Sequence, residues 1–137
     1  MSTSEIGRSL GPAIRQQKIH AICCTGANLE EDLFSLVSRS DYENITNWRQ
    51  QTGNDDASLA KRGMNRVTDV AIPEKAIVKI GAKMIELWEE AEVVGDSRFP
   101  HEYFYDLILH SNLEFSAPPE GSGFATATTR SVEIAVP

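Results

Sequence analysis

Ile19-His20-Ala21-Ile22-Cys23-Cys24-Thr25-Gly26-Ala27-Asn28-Leu29-Glu30-Glu31-Asp32 sets a short apolar run, a small-residue turn and an acidic helix start in immediate succession. The apolar run reads as a buried strand of a parallel sheet. A strand ending in Thr-Gly-Ala presents backbone N–H groups at its carboxyl end, where open α/β sheets bind ligands, and Gly26 permits close backbone approach. Asn28 is then expected as the N-cap of the following helix. A helix N-terminus attracts anions, whereas Glu30, Glu31 and Asp32 repel a phosphate beside them and suit a cation. Acids in a first helical turn also stabilise a helix by roughly 0.3–1 kcal/mol each with no ligand present, so a purely structural role stays open.

Elements alternate outward from this run. Residues 4–17 read as a helix with Ile6, Leu10 and Ile14 on one face and Ser2 or Thr3 as its cap. A strand over residues 19–24 follows, then a helix over 29–37 carrying Leu33, Phe34, Leu36 and Val37. Residues 39–56 are polar, anchored by Tyr42, Ile45 and Trp48, and a short helix over 57–62 ends at Gly63, suited to the left-handed position after a helix. Residues 65–72 form a strand or an extended connection. Pro73 opens the strongest helix, in which Ile77, Ile80, Met84, Leu87, Trp88 and Ala91 recur at spacings of three and four, a pattern of core or subunit interface. Pro100 opens another, with Phe104, Leu107 and Ile108 on one face. The fold class is α/β, a partial Rossmann-like parallel sheet with helices packed on it.

Three stretches in register carry a resemblance. Thr25-Gly26-Ala27-Asn28-Leu29-Glu30-Glu31-Asp32 is similar to the strand-to-helix segment of deoxyhypusine synthases, closest in wording to the bacterial deoxyhypusine synthase-like branch. Met1-Ser2-Thr3-Ser4-Glu5-Ile6-Gly7 agrees with it, as does Gly63-Met64-Asn65-Arg66-Val67-Thr68-Asp69 running into Ile72-Pro73-Glu74. Motifs in matching order are far more specific than a lone glycine turn. The resemblance implies an NAD-dependent transfer of an aminobutyl group from spermidine, by way of an enzyme lysine, to a protein lysine or a small amine. Carried over by position, Thr25, Gly26 and Ala27 touch NAD, and Ser2 and Thr3 end the first cofactor loop. Glu30 and Glu31 meet the polyamine, and Glu31 also nears the cofactor. Carboxylates are the side chains that pair ammonium groups, which agrees with those roles.

The departures are equally definite. No counterpart is found for the family's Asp-containing cofactor segment, its Trp-and-Lys nucleophile segment or its polyamine-channel histidine. Lys18, Lys61, Lys75, Lys79 and Lys83 do not match the nucleophile motif, so no catalytic residue is assigned. The resemblance fades after Leu113 into a Pro/Gly/Ser/Thr-rich stretch, which divides the chain into a partial NAD-binding domain over 1–113 and a divergent tail over 114–137. That tail reads either as the product of a truncated or frameshifted gene or as a flexible extension, and residues 131–136 alternate like a strand. The chain is therefore a fragment or reduced member of the family, or else a catalytically inactive binding subunit that pairs with a complete paralogue.

Composition bounds these readings. The chain has 137 residues, 41% of them hydrophobic, enough for one core. A net charge of −7 disfavours nucleic acid and suits basic ligands such as polyamines. No stretch resembles a membrane span or signal peptide, so a cytoplasmic location is expected. The adjacent Cys23 and Cys24 read as buried small hydrophobes, and the scattered His20, His101 and His110 have no metal-ligand spacing. The resemblance and the uncovered apolar stripe together imply a homo-oligomer or a pairing with a full-length relative.

Overall fold

Ile22 lies at the middle of β1 (Ala21–Cys23), which pairs in parallel with β5 (Glu133–Ala135), setting Ile22 opposite Ile134. A computed structural model of the chain describes residues 5–130 and 132–136. Ser2 and Thr3, expected as helix cap and cofactor loop, lie outside the described residues. α1 (Gly7–Arg15) precedes β1, and between the two strands run α2 (Gly26–Ser38), β2 (Glu43–Asn44), α3 (Gly53–Lys61), β3 (Met64–Val67), β4 (Val70–Pro73), α4 (Glu74–Val94), α5 (Pro100–Leu109) and α6 (Gly123–Thr129). The α/β class is met by the parallel pair and the helices around it. A second sheet, antiparallel in the order β2-β4-β3, occupies the region read as a strand or extended connection.

The core follows from helical periodicity. Leu29, Leu33 and Leu36 of α2 stand at i, i+4 and i+7 and are all buried, against Ile80 and Met84 of α4 and Phe104 and Leu107 of α5. α1 begins later than its apolar spacing suggests. Glu5 takes a left-handed φ of 56°, so Ile6 becomes the cap and stays partly exposed, leaving Ile14 as the deeply buried member of that face. The helix expected over 57–62 starts instead at Gly53. There the Asp55 carboxylate accepts hydrogen bonds from the Thr52 backbone N–H (2.8 Å) and hydroxyl (2.6 Å) and so closes the first turn. Gly63 does adopt the left-handed conformation after α3, with φ 70°. Pro73 caps α4 rather than joining it, while Pro100 is the first residue of α5, whose start is closed by the Glu102 carboxylate on the Phe99 N–H (2.7 Å).

Residues after Leu113 are folded onto this core rather than forming a loose extension. The N–H groups of Ser116 and Ala117 both donate to the Leu36 carbonyl at the end of α2. α6 then packs on α1 almost backbone to backbone. A Cβ on Gly7 would lie 2.4 Å from the Gly121 carbonyl oxygen and 2.6 Å from the Gly123 nitrogen. The alternation over residues 131–136 becomes β5, with the Ile134 N–H held by the Tyr105 hydroxyl at 3.0 Å.

Candidate functional site

β1 delivers the chain to Thr25, extended at φ −74° and ψ 153°, and α2 starts at Gly26. Thr25 is thus the N-cap position and Asn28 is the third helical residue, a correction to the expected cap. Asn28 instead buttresses the turn, its Nδ2 donating to the Thr25 Oγ1 and its backbone N–H to the Thr25 carbonyl, both at 3.0 Å. Because the helix starts early, its first turn holds no acid, and Glu30, Glu31 and Asp32 follow one turn further in. Their carboxylates are therefore displaced from the positive end of α2, which relieves the conflict with an anion at the turn. Gly26 and Ala27 lie among the first N–H groups, which helix geometry leaves without intrahelical acceptors.

Gly26 is required neither by a positive φ nor by crowding. A Cβ there would meet only Val136 Cγ1, at 4.0 Å. Gly26 is half-buried, with Val136 at van der Waals distance from that position and nothing closer, so the turn is uncrowded enough for a ligand to approach the backbone. Thr25 and Ala27 are exposed at this turn, Glu30 is exposed and Glu31 half-buried on the next, and Ala27 shares a helical face with both glutamates. The structure thus gathers five of the expected site residues on one end of α2.

Asp32 behaves differently from its two neighbours. It is only 8% exposed, and its Oδ2 accepts the Ser122 hydroxyl at 2.6 Å and the Phe124 N–H at 2.9 Å. Ser122 in turn caps α6 by accepting the Ala125 N–H at 2.8 Å. Burial pushes the Asp32 carboxyl above its ordinary range, while the hydrogen bonds from Ser122 and Phe124 work against that rise. This third acid of the motif joins α2 to α6 instead of facing solvent.

Behind the α2 N-terminus lies an apolar cavity of about 220 Å³, walled by Ile6, Gly7, Leu10, Cys24, Leu29 and Phe124, with Asn28 and Asp32 as its polar lining. Thr25, Gly26, Ala27, Glu30 and Glu31 do not line it. Complete small-molecule pockets run to about 300–1,000 Å³, so this one takes a ring of a ligand rather than a whole dinucleotide. Cys23 is exposed and Cys24 half-buried, correcting the expectation that both are buried. Burial, followed by the neighbouring Cys23 and Asp32, holds the Cys24 thiol above its usual range.

Sequence reading missed a charged cluster beside this cavity. Glu5 bridges Arg8, at 2.8 Å, and Arg39. The Arg8 hydrogen bond is the main cause that lowers the Glu5 carboxyl, against the opposing effect of burial. Glu5 and Arg8 stand at i and i+3, but Arg39 lies 34 residues from Glu5 and no periodicity joins it to them. A wider, open cavity of about 630 Å³ lies between α5 and β5, lined by Phe99, His101, Tyr105 and Glu133 among others, and shares Ile134 with the recess. None of the five lysines lines these cavities.

A parallel strand that runs into a helix, with an uncrowded glycine turn and an apolar recess beneath it, defines a Rossmann-like α/β class. The family model described as deoxyhypusine synthase matches residues 1–137, the whole chain, including the stretch after Leu113 where the sequence reading saw the pattern fade. The chain belongs to the deoxyhypusine synthase family. No curated protein matches it. Among the described residues no helix is long and apolar enough to cross a membrane.

Proposed function

We propose that this chain carries the cofactor turn and the polyamine carboxylates of a deoxyhypusine synthase-like, NAD-dependent aminobutyl transfer from spermidine to an amine acceptor, in the cytoplasm. The observation that carries the reading is the uncrowded turn at Gly26 set one helical turn before Glu30 and Glu31. NAD, when bound, supplies hydride acceptance and return. Thr25, Gly26 and Ala27 are the residues that would hold it, through backbone N–H groups at the start of α2, with the recess beside Leu29 and Asn28 as adjoining apolar space. Glu30 and Glu31 pair the ammonium groups of the polyamine. Ser2 and Thr3 complete the cofactor loop in this reading.

Titration calorimetry tests the division of labour. Glu30→Gln combined with Glu31→Gln is expected to weaken spermidine binding by about tenfold or more and to leave NAD binding equal or tighter, since the removed charges repel an anion. A double variant that binds spermidine as the parent does overturns the assignment of these acids.

The position of the lysines favours a second reading, a binding or regulatory subunit that pairs with a complete paralogue. Lys18 follows α1, Lys61 ends α3, and Lys75, Lys79 and Lys83 lie on α4, all away from the Thr25 turn and its recess. A lysine nucleophile needs a desolvated or charge-tuned setting. Incubation with spermidine, NAD and a reductant, followed by intact mass, distinguishes the two readings. A stoichiometric aminobutyl adduct on one lysine assigns this chain the transfer itself, and its absence leaves the chain as a binding subunit.

A further inference from the structure

The two strands of the parallel sheet run in one direction, so their amino ends lie together, at the end of the sheet opposite the Thr25 turn. His20 stands directly before β1 and Val132 directly before β5, while Arg15 ends α1 and Arg130 follows α6. These residues surround a cavity of about 380 Å³ that Gln17 also lines. No acid lines it, and Ile14 and Ile19 complete its apolar wall with Val132. The nearest strand acid, Glu133, is exposed and lines the separate cavity between α5 and β5.

Acids outnumber Lys and Arg by 20 to 13 in this chain, so an arginine without a carboxylate is the exception. Arg8, Arg39, Arg62, Arg66 and Arg98 are all ion-paired. Arg49 instead covers the Trp48 ring, 4.2 Å from its centre. The remaining two, Arg15 and Arg130, have no ion pair among the described residues, and both line this one cavity. Arg15 is nonetheless fixed, since its Nη1 donates to the Glu120 carbonyl at 3.1 Å and to the Thr126 hydroxyl at 3.5 Å. A guanidinium fork held in advance loses less freedom when it binds. Helix dipoles do not neutralise the pair. Each helix C-terminus carries about half a negative charge, so the ends of α1 and α6 offset about one of two guanidinium charges and leave the cavity positive. Gln17 adds a separate observation. It takes a left-handed φ of 58° just after α1, where glycine is the unstrained choice, and what it brings over glycine is an amide beside the cavity.

We propose that this cavity binds a small oxyanion carrying two or more negative charges, a phosphate ester or a polycarboxylate. Arg15 and Arg130 supply two forks that match planar or tetrahedral oxygen groups, Gln17 and His20 supply further N–H donors, and Ile14, Ile19 and Val132 face the carbon part of the ligand. The volume stands at the low end of small-molecule sites, about 300–1,000 Å³, which suits a small metabolite. Binding is weakened by salt, because the arginines are exposed. The inference rests on the amino end of the sheet and is independent of the function proposed for the Thr25 turn.

Titration calorimetry of the intact chain with inorganic pyrophosphate and with citrate, at constant ionic strength against sodium chloride alone, tests it. Saturable binding of at least one is expected, with a rise in the thermal midpoint that chloride does not reproduce. Tighter pyrophosphate assigns the site to phosphates and tighter citrate to carboxylates. Arg130→Gln, at an exposed side chain with no partner among the described residues, is expected to weaken binding by about tenfold with the unfolding of the free chain unchanged. Gln17→Gly, which relieves the left-handed backbone, should weaken binding by about threefold or more without lowering the thermal midpoint. Arg49→Gln removes an unpaired arginine outside the cavity and should bind as the parent does. Absence of saturable binding overturns the inference. So does binding that Arg130→Gln leaves intact, the result expected if pyrophosphate sits at the Thr25 turn, or binding that Arg49→Gln weakens equally, which would reduce the effect to net charge.

Discussion

Asp32 shows how far one position of a motif can differ from its neighbours. On α2 Glu30 is exposed and Glu31 half-buried, while Asp32, one residue on, is rotated into the interface with α6 and accepts hydrogen bonds from Ser122 and Phe124. The run of three acids is legible in sequence, but its grading from exposed Glu30 through half-buried Glu31 to buried Asp32 is not, since it depends on where α2 begins. Burial is the larger influence on the Asp32 carboxyl and raises it from 3.8. A raised folded-state value means that the native chain holds this proton more tightly than the unfolded chain does. The stability contributed by Asp32 is thus fully present below its unfolded value and declines as pH rises through its folded one. Carbon-detected NMR titration is expected to place the Asp32 midpoint above 3.8, and in Ser122→Ala to move it higher still, because the hydroxyl that favours the carboxylate is gone. A midpoint that falls in Ser122→Ala would contradict this account.

At the scale of elements, the close crossing of α1 and α6 is the contact with least tolerance. Gly7 opens α1 where the carbonyl of Gly121 and the nitrogen of Gly123 pass, and those obstacles are backbone atoms that cannot rotate away. Gly7→Ala is expected to destabilise the chain by about 1–3 kcal/mol through overpacking. Gly121→Ala, with nothing within 4 Å of the added Cβ, should stay within about 0.5 kcal/mol. Chemical denaturation of the two variants checks the contrast, and equal losses would remove the steric argument. Element identity was legible wherever a periodic apolar face and a local signal coincided, as in α4 between Pro73 and Gly95 or α5 behind Pro100. Starts were less legible. α2 begins at Gly26 because Thr25 is extended there, and α3 at Gly53 because Asp55 reaches back to Thr52. The β3–β4 hairpin was hidden because its two-residue turn, Thr68-Asp69, lacks the usual glycine or asparagine, Thr68 taking the left-handed φ of 59° instead.

Across the whole molecule, the first and last thirds of the chain depend on each other. β1 has β5 as its partner in the parallel sheet, α1 rests on α6, and Phe124 stacks on Tyr105 at 5.8 Å while meeting Phe104 edge-on at 6.1 Å. None of these contacts has a local sequence signal. Parallel pairing joins segments more than a hundred residues apart, and the small residues of α6, buried from Gly123 to Ala127, read in isolation as a flexible stretch because Ala, Thr and Gly carry little periodic contrast. Removing residues 114–137 would strip β1 of its partner, expose Gly7 and Gly11 on α1, and leave Asp32 buried in part without the two donors that hold it. Loss of those donors alone costs on the order of 1–3 kcal/mol, and the lost apolar contacts of Phe124 and Ile134 add to it, against a total stability of about 5–15 kcal/mol for a domain. A chain ending at Leu113 is therefore expected to lose cooperative unfolding in calorimetry and to expose apolar surface to a fluorescent dye, while the intact chain shows a single transition. A truncated chain that melts in one sharp transition near the parental temperature would mean that α6 and β5 are an accessory layer, and that α2, α4 and α5 alone close the core around Leu33 and Leu107.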